Sequence, residues 1–273
     1  MRIIICMGLS LFIGVVEVMA GIPRVPCTVF GMVQDSYGIP YLSNARITLC
    51  NSEATNAWQN INGLLNYGLN IQMLLNMDSG TGDRYAAYAV RAGEELQIIV
   101  EVDGVVQPLL EGATLTVPAA GSDIELNLTT GTDSDGDNLP DEWEYQMMAA
   151  SYGMITNISQ ILPNDDFDGD GASNMHEYLS GSFAFLDYDL FAIEDLERSK
   201  DGWFIFRFLS VPGKSYSVEV TDSLSGASVW SIGAFSLNAE GSSTLTAVVG
   251  DGYYRTVYIE ATADQQFMRI VVK

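Results

Sequence analysis

Short stretches in which apolar and polar residues alternate run through the first part of the chain. This period of two is typical of strands with one buried face, and Asp, Ser and Gly at the breaks are typical of turns. Strands are predicted at residues 27–33, 45–49, 65–73, 85–90, 96–102, 113–117 and 124–128. Only residues 56–65 have a spacing that suits a short helix. The pattern predicts an N-terminal β-sandwich domain over residues 21–130.

The last part of the chain repeats this pattern. Strands are predicted at residues 190–196, 203–208, 216–220, 229–232, 243–249, 255–260 and 268–272. Seven short strands at such spacing suggest a second sandwich of immunoglobulin or fibronectin style, over residues 182–273. The fold class expected is therefore mainly β, with two β-sandwich domains joined by the segment 131–181.

That joining segment contains two twelve-residue runs with oxygen side chains at places one, three, five, nine and twelve. Calcium takes six to eight oxygen ligands, and this spacing lets a short loop surround it. The predicted side-chain ligands are Asp133, Asp135, Asp137, Asp141 and Glu144 in the first loop, and Asp166, Asp168, Asp170, Asn174 and Glu177 in the second. At the seventh places, Leu139 and Ala172 would each offer a backbone carbonyl. The sequence thus predicts two Ca²⁺ sites.

Details of the two loops favour calcium over solvated acidic turns. The sixth place needs a positive φ, which Gly171 adopts freely and Asn138 adopts with some strain. Magnesium is the weaker candidate, because a bidentate glutamate suits the larger ion. Each loop is predicted to lead into a helix, at residues 141–150 and 174–179, so each half is loop-then-helix.

Charge is concentrated in the same segment. Residues 131–180 contain eleven carboxylates and no Lys or Arg, in a chain whose net charge is −23. Such crowding disfavours the ordered metal-free loop, so we expect metal binding to order this segment. An acidic chain without a basic stripe is also not expected to bind nucleic acid or an anionic membrane.

The N-terminus suggests export. Residues 3–16 are apolar and Ala20 precedes a plausible cleavage point, which predicts a signal peptide at residues 1–20 and a secreted or cell-surface protein. An uncleaved membrane anchor is the alternative, although the run is short for a span. Of three cysteines, Cys27 and Cys50 would remain, as one disulfide or as two buried thiols.

The two loops resemble the thrombospondin type 3-like, EF-hand-like calcium segments of exported bacterial proteins. The resemblance rests on the run from Asp133 to Glu144, the run from Asn164 to Asn174, and Glu177 to Gly181. It implies a calcium segment between β-sandwich modules, with ligands at the twelve loop positions named above. Weaker resemblances link residues 30–48 to transthyretin-like sandwiches and residues 210–230 to the sandwich that follows such segments.

Three functions compete. The leading one is a secreted or surface structural and adhesive module in which two Ca²⁺ ions rigidify the joint between sandwiches. The alternative is an interaction module, dockerin-like or binding an extracellular protein or polysaccharide. Dockerins usually have small hydroxyl residues at places ten and eleven, where this chain has Glu142-Trp143 and Met175-His176. An enzyme is not expected, because no nucleophile elbow, zinc motif or phosphate loop occurs.

Overall fold

The structure is a computed structural model in which β-strand is the main regular secondary structure of the described residues. It describes residues 21–65, 69–80, 82–225, 228–239, 241, 244–260 and 267–272. The predicted signal peptide at 1–20 lies outside these residues. Within the described part of the chain, the strands form four sheets, with a loop-and-helix segment between the second and third. The mainly β fold class is thereby confirmed.

The first β region has two sheets around one core. Its strands are β1 Pro23–Gln34, β2 Ala45–Cys50, β3 Thr55–Ile61, β4 Ile71–Asp78, β5 Glu95–Val102, β6 Val105–Gln107, β7 Thr114–Thr116 and β8 Asp123–Thr129. One sheet has the order β4-β1-β8, with β1 and β8 parallel, and the other has the order β3-β2-β5-β6, with β7 beside β5. Alternate residues face inward, among them the fully buried Val29, Ile47 and Leu75. This arrangement buries the apolar half of the period-two pattern.

Two elements predicted in this region are wrong. The short helix predicted at 56–65 is instead β3, which pairs with β2 so that Trp58 lies opposite Thr48. The cross-strand hydrogen bonds and the burial of Ala57 outweigh an ambiguous apolar spacing. The strand predicted at 85–90 is a series of turns, with an isolated bridge at Val90. There the backbone N–H of Tyr85 donates to the side chain of Asp78, which organises a loop.

The second β region also has two sheets. Its strands are β9 Asp195–Arg198, β10 Trp203–Leu209, β11 Ser215–Thr221, β12 Ser231–Gly233, β13 Val248–Val249, β14 Tyr254–Glu260 and β15 Phe267–Val272. The sheets have the orders β14-β10-β9 and β12-β11-β13, with β15 beside β11. Phe208, Tyr216 and Phe235 fill the core between them.

Strand limits in this second region differ from those predicted. The strand predicted at 190–196 begins only at Asp195, because Phe191 packs on Phe208 and Tyr216 as part of a connector. The strands predicted at 229–232 and 243–249 shrink to β12 and β13. Part of the strand predicted at 243–249 lies outside the described residues. Residues 66–68 of the strand predicted at 65–73 also lie outside them, and the corresponding strand, β4, begins at Ile71.

The helices of the joining segment follow the sequence closely. Helix α1 spans Asp141–Ala150, as predicted, and helix α2 spans Asn174–Ser180, one residue longer than predicted. A short 3-10 helix at Ile158–Gln160 was not expected. Among the described residues no helix has the length and apolar character needed to cross a membrane.

The expected disulfide is not formed, and both cysteines of the described chain are free. Cys27 is buried on β1, where its Sγ donates to the Ala119 carbonyl at 3.3 Å. Cys50 ends β2, which belongs to the other sheet, and is half-buried. The two thiols therefore occupy separate positions on facing sheets. The alternative of two buried thiols holds fully only for Cys27.

Candidate metal centre

In the first loop, three aspartates face one another. One oxygen from each of Asp133, Asp135 and Asp137 lies within 4.8 Å of the other two. The backbone turns around Asp133, whose Oδ1 accepts from the Gly136 N–H at 2.8 Å and whose Oδ2 accepts from the Asn138 N–H at 2.9 Å. Asn138 has a φ of 75°, the left-handed conformation that the sixth place was expected to need.

The second loop repeats this geometry. Asp166, Asp168 and Asp170 bring one oxygen each within 4.8 Å of the others. Asp166 accepts from the backbone N–H groups of Gly169 at 2.7 Å and Gly171 at 2.9 Å. Gly171 has a φ of 100°, and a Cβ there would meet no atom within 4 Å, so only the backbone conformation favours glycine. Two loops separated in sequence thus converge on one local structure.

The twelfth-place glutamates are the most unusual groups in both loops. Glu144 and Glu177 are fully buried, and neither oxygen of either side chain has a hydrogen-bond partner among the described residues. Burial, followed by the negative charge of the loop aspartates, raises the pKa of each to about 8. Buried polar groups are normally hydrogen-bonded, and a buried carboxylate normally has a cationic partner. These four oxygens therefore fit a cation that the protein itself does not supply.

The ninth places differ between the loops. Asp141 accepts from the hydroxyls of Thr132 and Ser134 at 2.7 and 2.6 Å and from the Ser134 N–H at 2.7 Å. Burial raises the pKa of Asp141, but these hydrogen bonds outweigh it and leave the pKa below its ordinary value. Asn174 donates through Nδ2 to the Leu162 carbonyl at 2.8 Å, and its buried Oδ1 has no partner among the described residues. Asp141 thus braces its loop, whereas Asn174 keeps an oxygen free.

The seventh-place residues are held by their loops. Leu139 N–H donates to Asp137 Oδ1 at 2.9 Å, and Ala172 N–H donates to Asp170 Oδ1 at 2.7 Å. Both seventh-place side chains are buried. Their predicted role as carbonyl ligands stays a prediction.

The two loop-helix units share one small core. Trp143 of α1 and Tyr178 of α2 meet edge-to-face with ring centroids 5.7 Å apart. Leu139, Met147 and Ile161 complete this core around them. Trp143 and Tyr178 each adjoin a twelfth-place glutamate in the sequence, so this shared core lies next to both loops.

A buried lysine links this core to both β regions. The sequence does not indicate this role, because Lys214 follows what reads as an ordinary Pro-Gly turn. Lys214 is 3% exposed, and its Nζ lies 5.8 Å from the centre of the Tyr178 ring. A Cβ on Gly38, in the turn after β1, would lie 2.5 Å from the same Nζ. Burial lowers the pKa of Lys214 to about 8, against the opposing effect of Asp35. Gly181, which ends α2, packs against the same lysine.

Comparison with protein-family models and with curated proteins finds no match to this chain. The chemistry of the site therefore has to be argued from its own groups. Its donor set is hard oxygen, with carboxylates and an amide, and among the described residues it includes no cysteine and no imidazole. His176, at the eleventh place of the second loop, is exposed on α2.

Proposed function

We propose that this chain is a secreted or cell-surface structural and adhesive module in which two Ca²⁺ ions rigidify the joint between two β-sandwich domains. The domains would be residues 21–130 and 182–273, of transthyretin-like and immunoglobulin-like style, with the paired calcium loops at 131–181 between them. The ligands would be the twelve loop residues predicted from the sequence. No catalytic role is proposed for any of them.

The observation that carries this proposal is the pair of buried glutamates that have no hydrogen-bond partner among the described residues. An aspartate triplet alone is a common feature of solvated turns. A fully buried carboxylate beside such a triplet, with both oxygens unpartnered, destabilises the fold unless a cation arrives. The same constellation occurs twice, at the same loop place. Calcium is favoured over magnesium because it accepts a bidentate carboxylate and a flexible ligand geometry.

The position of helix α2 supports a role at the joint. Glu177 and Tyr178 are consecutive residues of this helix, and Tyr178 packs under Lys214 of the second β region. The carbonyl of Tyr178 lies 3.7 Å from the place of a Cβ on Gly38, in the first β region. An ion held by Glu177 would therefore fix the element on which both β regions rest.

The other end of the segment is attached directly to the first β region. The backbone N–H groups of Thr130 and Gly131 donate to the carbonyls of Gln34 and Pro108 at 2.9 and 3.1 Å. No flexible linker separates β8 from the first loop. Ordering of the first loop would therefore be transmitted to this β region as well.

The dockerin-like alternative finds less support. Its partner would contact places ten and eleven of both loops. Trp143, at the eleventh place of the first loop, is instead buried in the core shared by the two helices.

The test is calorimetric titration of the chelator-treated protein with Ca²⁺, with the melting temperature followed in parallel. The expected result is two bound ions and a raised melting temperature, both absent with Mg²⁺ at the same concentration. Small-angle scattering with and without Ca²⁺ then tests the joint: the metal-free protein should show a broader range of interdomain distances. No heat of binding at millimolar Ca²⁺ would refute the calcium sites, whereas binding without any change in scattering would refute only the joint.

A further inference from the structure

An exposed tryptophan stands on the outer face of the first β region, far in sequence from the calcium loops. Trp58 of β3 is 55% exposed, and the guanidinium of Arg46 on β2 lies 4.9 Å from the centre of its ring. The ring also borders a groove of about 370 Å³, here called the Trp58 groove. The groove is lined by Thr55, Asn56, Ala57, Trp58, Met73, Leu74, Asn76 and Tyr88.

The Trp58 groove combines an apolar wall with an unused acceptor. Trp58, Leu74 and Tyr88 are all exposed large side chains. Asn56 is 5% exposed; its Nδ2 donates to the Tyr88 carbonyl at 3.2 Å, and its Oδ1 has no hydrogen-bond partner among the described residues. A buried acceptor without a partner is uncommon and indicates a missing donor. A ligand for this groove should therefore have both an apolar face and hydroxyl or amide donors.

Polar side chains continue the surface on the other side of Trp58. Asn60, Arg46 and Glu101 lie directly opposite one another on β3, β2 and β5. This row is two residues from the row of Trp58, a distance of about 7 Å along the strands. The three side chains line a second groove of about 450 Å³ together with Asn44 and Asn62. Trp58 thus stands between an aromatic groove and a groove rich in amide, carboxylate and guanidinium groups.

We infer that this face binds a neutral polysaccharide chain, with one sugar ring against Trp58 in the Trp58 groove and further hydroxyls in the polar groove. A sugar ring has an apolar C–H face that packs on an aromatic ring and a rim of hydroxyl donors that suits Asn56 Oδ1. Planar side chains such as Arg, Asn and Glu bind neighbouring hydroxyls in pairs.

Two other ligand classes fit this face less well. An anionic polymer would meet a chain with a net charge of −23. An added peptide strand would need free backbone groups at the start of β4, but Gln59 of β3 already binds two backbone groups there, one just before β4 and one within it. Its Nε2 donates to the Asn70 carbonyl at 3.1 Å, and its Oε1 accepts from the Gln72 N–H at 2.8 Å.

The experiment is affinity electrophoresis of the full chain in native gels that contain soluble neutral β-glucan, xylan or mannan, followed by titration with oligosaccharides of the polymer that retards it. Retardation by at least one polymer is expected, and Trp58→Ala should weaken oligosaccharide binding by about tenfold or more. Tyr88→Ala should weaken it less. No retardation by any polymer, or an unchanged affinity in Trp58→Ala, would overturn the inference.

The second β region offers a matched control. The guanidinium carbon of Arg269 lies 4.4 Å from the centre of the Trp230 ring, an arrangement like that of Arg46 and Trp58. Trp230 does not line the Trp58 groove. Trp230→Ala should leave polysaccharide binding unchanged, and a melting curve of each variant shows that it is folded. The titration is repeated with chelator, and the affinity should not change. Sugar binding and the calcium proposal can therefore fail separately.

Discussion

Replacing the buried glutamate of the second loop by its neutral isostere should stabilise the metal-free protein and abolish one calcium site. Glu177 is fully buried, neither of its oxygens has a partner among the described residues, and its pKa is raised to about 8 by burial and by the loop aspartates. In the metal-free protein the side chain opposes folding. With calcium bound, the same side chain would supply two ligands. Glu177→Gln removes both effects with little change in volume.

The size of the metal-free effect follows from the pKa. The unfolded chain ionises this group near 4.5, whereas the folded chain keeps it protonated up to about 8. The folded state therefore binds more protons between these values, and its free energy of unfolding falls as the pH rises from 4.5 to 8. At pH 7 this amounts to about 3 kcal/mol. Glu177→Gln should recover most of this amount in chelator and should flatten the dependence on pH.

Urea denaturation at pH 5 and pH 7, in chelator and in calcium, measures these effects. In chelator at pH 7 the variant should be more stable than the parent protein by about 3 kcal/mol. In millimolar calcium this difference should shrink by about 1 kcal/mol, because the variant would bind one ion fewer. Asp165→Asn is the matched control, because it removes one exposed negative charge beside the loop without removing a ligand. A variant that is less stable than the parent protein in chelator would contradict the reasoning, since the glutamate would then be a structural group and not a metal ligand.

Three other features give testable outcomes. The pKa of Lys214 is lowered to about 8, so the free energy of unfolding should rise with pH between 8 and 10.5. Lys214→Met should stabilise the protein at pH 7 by up to about 3 kcal/mol and should remove that rise. Denaturant titrations across this pH range measure both effects. Gly171→Ala should destabilise the calcium-loaded protein by about 1–2 kcal/mol through backbone strain alone, as measured by denaturation. Asn138→Gly should relieve strain and tighten calcium binding at the first loop, as measured by calorimetry. An unchanged stability in Gly171→Ala or an unchanged affinity in Asn138→Gly would contradict this. Cys27 and Cys50 should both be alkylated in denaturant without a reductant, as mass spectrometry of their peptides would show, and a linked peptide pair would contradict the free thiols.

The aspartate clusters and the turns of the two loops could be predicted from the sequence because every group that forms them is local. Twelve consecutive residues contain the side chains and the turn at Gly171 or Asn138, so spacing alone defines the geometry. The strands β1, β2 and β5 were predicted for a similar reason, since their period of two is decided by one buried face. The other strands depend on their pairing partners. Residues 56–61, for example, form part of β3 because they pair with β2.

Groups brought together from distant parts of the chain had no signature in the sequence. Lys214, Tyr178 and Gly38 meet at one junction although they belong to three segments. Each is unremarkable in its own surroundings: a lysine after a turn, a tyrosine on a helix and a glycine in a loop. The acceptor of Asn56 is of the same kind, because its lack of a partner among the described residues depends on how β3, β4 and the loop at Tyr88 pack.

The electrostatics of the loops also determine the calcium concentration at which the proposed joint would become rigid. The work of ionising two buried glutamates would offset part of the proposed affinity for calcium, so the sites should be of the weak extracellular kind, with a Kd of about 10⁻⁴–10⁻³ M. At a calcium concentration ten times the Kd, each site stabilises the folded state by only about 1.4 kcal/mol. At the micromolar calcium of a cell interior the same expression gives almost nothing. A module with these sites would therefore stay loose until export and stiffen on reaching a calcium-rich exterior, without any partner to trigger the change. Loops that bound calcium with a nanomolar Kd would contradict this view, because they would fill before export.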